Sequence, residues 1–313
     1  MGDPIRRPKS EIDLQQLRQF LESMKTITED FIVGPKGGEP LYHYTDLNGA
    51  RSIITDDDLW LTNSRYSNDE EEITHGYRVA NKVIEAAKLE ANPNPDWLRY
   101  LIEVAKLVQK PADEGVYICC FCKFDNLLSQ WRGYAASGNG VSIQFNPPGF
   151  AYIAGPDSPV GGLMRLWRIL YEEQAQYGIV SNALHFAFNN GGADPIETRA
   201  QRAADAITFF IPTFKNSDFK NEEEWRLIFT PPPAWSVKPR FRVARNMLVP
   251  YYTLKDLGDS LNPPPPPGQL LPITGLLMGP SAQKTLNAAS AQTLIHAKGY
   301  NFTVRVSNTP WRG

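Results

Sequence analysis

Three consecutive glutamates run straight into an apolar, β-prone stretch at Asn221-Glu222-Glu223-Glu224-Trp225-Arg226-Leu227-Ile228-Phe229. No other segment limits the fold of the chain as tightly. Side chains alternate faces along a strand, so Trp225, Leu227 and Phe229 take one face and Glu222, Glu224 and Arg226 the other. Two acids and a base then point the same way at a sheet end. Like charges held that close raise the proton affinity of at least one of them, and perturbed carboxylates at a sheet end are functional candidates. The alternative at this point is a cross-face ion pair of Glu224 with Arg226 on an edge strand.

The 313 residues suffice for a substantial core, and a net charge of -2 with 21% charged residues argues against a generic polyanion-coating protein. The three cysteines, Cys119, Cys120 and Cys122, fall in one apolar strand-like run with no histidine at finger spacing. They are expected to be buried and reduced, which fits a cytoplasmic location. With four histidines, His43, His75, His185 and His296, a multi-histidine metal site has little to draw on. No run approaches the ~18 apolar residues of a membrane span, so no membrane partner is expected.

Apolar residues at helical spacing, Leu17, Phe20, Leu21, Met24, Ile27 and Phe31, predict an amphipathic helix in an N-terminal extension, residues 1–38. That helix docks on the main domain and, across residues 10–33, offers a surface to a protein partner. Residues 39–313 read as a single α+β domain. Strands are expected at 41–45, 59–62, 116–122, 140–145, 164–171, 224–229, 240–244, 247–250, 273–278 and 302–306. Helices are expected through Ile53 and Ile54, over 70–108 with a break at Asn92-Pro93-Asn94-Pro95, and at 173–190, 195–214 and 283–298. Strands and helices mix without regular alternation, which favours a split, mostly antiparallel sheet of short strands with flanking helices. Five consecutive prolines between Asn262 and Gly268 read as a stiff spacer.

Three further runs are chemically suggestive. His43 lies at the end of the strand Leu41-Tyr42-His43-Tyr44-Thr45, where it and Thr45 can present donors at a sheet rim. Asn68-Asp69-Glu70-Glu71-Glu72 reads first as helix capping, with Glu72 also placed to reach inward. Gln130-Trp131-Arg132-Gly133-Tyr134 puts Trp131 and Tyr134 one helical turn apart as an aromatic wall and leaves Arg132 to meet an anion. There is no Walker loop, G-x-G-x-x-G, H-E-x-x-H or G-x-S-x-G.

Taken together, Leu41 to Thr45, Asn68-Asp69-x-x-Glu72, Gln130 to Tyr134 with Gly140-Val141, Glu222-x-Glu224-Trp225-Arg226, Gly279-Pro280 and the closing Ser307 to Arg312 resemble a widespread, mostly bacterial family, domain of unknown function 2971. The resemblance spans about residues 41–312 and implies no activity. A looser similarity is to ADP-ribosyltransferases, including bacterial toxins that modify nucleic acid. It rests on an early strand with His-x-Thr, aromatics in the middle and a late Glu-x-Glu. That similarity implies an ADP-ribosyltransferase-like fold and NAD as substrate, with no metal. His43 would hold the adenosine ribose, and the backbone at Tyr44 and Thr45 the nicotinamide amide. One of Tyr66, Trp131 or Tyr134 would stack on nicotinamide, with Arg132 and Arg226 nearby. Glu224 with Glu222 would stabilise the oxocarbenium-like centre as nicotinamide leaves, which is electrostatic catalysis.

The expectation is therefore an enzyme that cleaves NAD and transfers ADP-ribose to a nucleic-acid or protein acceptor, as a toxin or defence effector. Two alternatives stay open. One is a non-catalytic module sensing a nucleotide or nucleic acid, and the other a metal-dependent nuclease or hydrolase built on Glu72, Glu222 and Glu224.

Overall fold

A computed structural model describes residues 19–20, 38–66, 73–90, 94–109, 115–150, 154, 164–231, 235, 237–244, 246–259 and 271–310. The capping run 68–72, the five-proline loop, Trp311, Arg312 and most of the N-terminal helix lie outside them. Of that helix, Phe20 is described. It is buried, with ring centroids 5.5 Å from Phe186 and 6.0 Å from Phe210.

The strands are β1 (Leu41–Thr45), β2 (Trp60–Asn63), β3 (Tyr117–Cys122), β4 (Val141–Phe145), β5 (Met164–Arg168), β6 (Glu224–Phe229), β7 (Arg240–Ala244), β8 (Met247–Thr253), β9 (Ile273–Met278) and β10 (Val304–Val306). Among them run the helices α1 (Leu47–Asp56), α2 (Thr74–Lys88), α3 (Pro95–Leu107), α4 (Leu128–Tyr134), α5 (Glu173–Asn189), α6 (Ile196–Phe210), α7 (Leu254–Asp259) and α8 (Lys284–Ala297). The fold is α+β, and its sheet is open and mostly antiparallel, as the sequence suggests.

The sheet forks. Its main path is β10-β9-β4-β1-β3-β2-β8-β7, and β6 and then β5 branch from β3. β6 pairs with β3 from Tyr117 to Cys122. A strand has only two edges, so β1 and β2 share the other one. β2 takes it at Tyr117 and Ile118, and β1 touches it only at Tyr42↔Cys122. β1 instead follows β4 over its whole length, Leu41↔Phe145 to Thr45↔Val141. Beyond Tyr42, therefore, β1 peels away from β3. Gly140 allows the start of β4 to sit there, since a Cβ on it would meet the Thr45 carbonyl oxygen at 2.2 Å.

Alternation sorts the two faces. Leu41, Ile143, Phe145, Phe121, Trp225, Leu227 and Phe229 form one core, closed by Ile53 and Ile54 of α1 and Ile295 of α8. The opposite face meets α2, α3, α5 and α6 through a second core that includes Tyr100, Trp167, Ile207 and Phe210. A small third cluster, Tyr44, Cys122, Trp131, Ala135 and Leu277, seats α4 over β1 and β9.

Three expectations are corrected here. β5 stops at Arg168, and Leu170 returns only as an isolated bridge to Phe214. β6 is no edge strand, because β3 and β5 flank it. It begins at Glu224, as expected, but the alternation carried back to Glu222 fails. Residues Ser217–Glu222 form a 3-10 turn and Glu223 turns left-handed at φ 43°, so strand parity does not reach back to Glu222.

Candidate functional site

An open pocket lies at the fork, lined by Tyr42, His43 and Tyr44 of β1, Cys120, Phe121 and Cys122 of β3, Gln130 and Tyr134 of α4, and Glu222 and Glu224. His43 wedges the gap between the strands. Its Nδ1 lies 2.8 Å from the Cys120 carbonyl oxygen, a group that only accepts, so Nδ1 carries the proton and Nε2 keeps a lone pair. Burial lowers the His43 pKa, against a smaller raising effect of that carbonyl, and favours neutral imidazole.

The acids sit in a four-residue network. Glu224 Oε1 accepts from Arg226 Nε at 2.6 Å, and Oε2 from Arg226 Nη2 at 2.9 Å and Lys215 Nζ at 2.8 Å. The same Lys215 Nζ donates to Glu222 Oε2 at 2.5 Å. Every member is anchored through other groups. Arg226 Nη1 donates to the Pro212 carbonyl, and the Glu224 backbone N–H to the Tyr171 hydroxyl. The Cys122 thiol donates to the Glu222 carbonyl. Lys215 is pinned through its backbone, giving its N–H to Leu170 and taking a bond from Gln176 Nε2.

This changes the electrostatic expectation. Burial alone would raise the Glu224 carboxyl, but Arg226 and Lys215 outweigh it and hold the group at about 2. Glu224 is thus firmly ionised, and the ion pair set against a functional role in the sequence is present in buried form. Glu222 differs in exposure, with 18% of its side chain open against 5% for Glu224. Both line the pocket, and Glu222 is the more exposed of the two.

Of the residues singled out in the sequence, His43, Tyr44, Tyr134, Glu222 and Glu224 line the pocket. Arg226 stands behind Glu224. Trp131 is fully buried beneath the site, 4.8 Å from Tyr44 between ring centroids, with its indole N–H on Asn126 Oδ1 at 2.8 Å. It is a core residue and not part of an aromatic wall. Arg132 is exposed on α4, Thr45 ends β1 and Tyr66 follows β2, all outside the lining. Lys215, Gln130, Tyr42 and Cys120 were not among the expected site residues, although Gln130 and Tyr42 lie in the suggestive runs. Lys215 alone could have been sought, as the counter-charge two buried acids require.

The three cysteines form no disulfide, and Cys119 and Cys122 are buried with thiols pushed up to about 12, chiefly by burial. Cys120 departs from expectation, being partly exposed at the pocket wall. Among the described residues no three His, Cys, Asp or Glu side chains are grouped to hold a metal ion, and Glu72 lies outside those residues. No helix among them is long and apolar enough to cross a membrane.

The class so defined is an α+β protein with a forked, mostly antiparallel sheet and an acid-histidine pocket at the fork. Residues 130–227 match the model of a family described as Protein of unknown function (DUF2971). The chain resembles that family over this segment, which holds most of α4, the start of β6 and the whole Lys215, Glu222, Glu224, Arg226 network, while His43 lies outside it. No curated protein and no solved structure matches the chain.

Proposed function

We propose that the pocket takes the nicotinamide-ribose part of NAD and that the chain is an ADP-ribosyltransferase-like enzyme. It would act in the cytoplasm as a toxin or defence effector, with a nucleic-acid or protein acceptor. The single observation that carries this reading is the shared pocket of His43 and Glu222 with Glu224, residues far apart in sequence that meet where β1 leaves β3.

In this reading the His43 Nε2 lone pair accepts from a ribose hydroxyl, and the Glu222 carboxylate faces the ribose carbon that becomes cationic. The bond from that carbon to the nicotinamide nitrogen breaks with its electron pair going to nitrogen. The acceptor's nucleophile then bonds to the carbon and gives up a proton. Glu224, tied to Arg226 and Lys215, positions Glu222 through their common lysine.

One observation favours a non-catalytic nucleotide-binding module instead: two carboxylates against Lys215 and Arg226 leave the network close to neutral. Calorimetric titration with NAD combined with a nicotinamide-release assay over nucleic-acid and protein acceptors separates the two. Binding with release supports the enzyme, binding without release under every acceptor supports the module, and no binding removes both.

A further inference from the structure

Among the described residues the sheet ends at β7, which pairs with β8 alone. In an antiparallel pair every second residue turns its N–H and C=O away from its neighbour, so β7 offers a free edge. Edges of this kind are usually blunted, yet the hairpin carries large apolar side chains in solvent, with Phe241 61%, Val243 76% and Leu248 65% exposed. The register Phe241↔Pro250 and Val243↔Leu248 puts these on one face. Arg240 and Arg242 take the other.

Charge selects what such an edge would accept. No Asp or Glu occurs between Glu224 and Asp256, whereas Lys238, Arg240, Arg242 and Arg245 fall within eight residues of a chain with net charge -2. Arg240 pairs with Asp256 at 2.6 Å. Among the described residues Arg242 makes no ion pair: it donates to Thr62 Oγ1 at 3.0 Å, lies 5.3 Å over the Trp60 ring and keeps a buried Nε without a partner. Lys238 is exposed. A second copy added edge to edge would set arginines on the same face against their own counterparts, which is unfavourable across a strand pair.

We infer that the β7 edge binds an extended segment of a partner protein in which acidic and apolar residues alternate, the segment joining the sheet as one more strand. Backbone bonds to the free edge supply affinity, apolar residues meet Phe241 and Val243, and the acids meet the arginine face. This docking surface is separate from the pocket and does not depend on the proposed activity.

The test is fluorescence anisotropy of the full chain with a labelled peptide alternating valine and glutamate. Saturable binding that weakens with salt is expected, together with its loss when lysine replaces the glutamates or when alternate backbone nitrogens are methylated. Val243→Glu and Lys238→Glu, both at exposed positions, should each weaken binding about tenfold, roughly 1.4 kcal/mol, with the thermal unfolding midpoint unchanged. Equal binding of the lysine or methylated peptide would overturn the inference. So would no binding at all, self-association abolished by Val243→Glu, or binding only to anionic lipid vesicles.

Discussion

The Glu224 carboxylate lies against the Arg226 guanidinium in a two-point contact, Oε1 to Nε at 2.6 Å and Oε2 to Nη2 at 2.9 Å, with both residues buried in the middle of the sheet. Two positions apart on one strand, they share a face. The planar fork of arginine suits this geometry, and lysine could not reproduce it.

Glu224→Gln should therefore be severely destabilising, because it leaves Arg226 buried without its full charge partner. The expected loss is about 3–5 kcal/mol by urea unfolding. Glu222→Gln leaves Lys215 on Glu224 and should cost no more than about 1 kcal/mol. A Glu224→Gln protein as stable as wild type would show that the pair contributes little.

Stability should fall in two steps as pH is lowered. The His43 pKa is depressed in the folded state, so the unfolded chain takes the proton first, and stability drains as pH drops below about 6.5. Glu224, held at about 2, likewise binds its proton more weakly when folded, and its contribution is present above about pH 5 and lost toward pH 2. Urea midpoints measured from pH 8 to pH 3 check this, with His43→Gln expected to remove the upper step only.

His43 and the late glutamates were legible as candidates because each sets a polar group into an apolar strand-like run, although His43 falls in the middle of β1 and not at its end. The route by which Glu222 reaches the pocket was not legible. Parity placed it on the Glu224 face, whereas a left-handed Glu223 turns the chain first and an off-strand Lys215 brings the two acids together. Trp131 was misassigned because its spacing with Tyr134 describes one helix face, while burial depends on Tyr44 and Leu277 from remote strands. The fork itself left no local trace. It depends on where β1 stops pairing with β3, and that is a contest between two long-range ladders.

Arg165 gives a contrast with Arg226. It is also buried, on β5, but bonds only the Phe209 carbonyl, lies 4.0 Å over the Phe209 ring and has Nε and Nη1 unsatisfied. Burial pushes it down to about 9. Arg165→Met keeps the volume and removes an unpaired charge, so it should cost under about 1 kcal/mol or stabilise, where Arg226→Met should cost about 3–5. Equal losses at the two positions in urea unfolding would contradict this difference.

The functional prediction falls on the more exposed acid. Glu222→Gln keeps size and hydrogen bonding while removing the charge of the more exposed pocket acid, and it should lower nicotinamide release about 10²–10³-fold. The fold should survive, because Lys215 retains Glu224. Glu223 is the internal control: its carboxylate pairs with Arg168 at 3.2 Å and is not part of the pocket lining, so Glu223→Gln should change the rate little. Rates are read against far-ultraviolet circular dichroism of each variant, which separates lost chemistry from lost structure. Equal effects at Glu222 and Glu223 would mean that the pocket carboxylate does not act on the substrate.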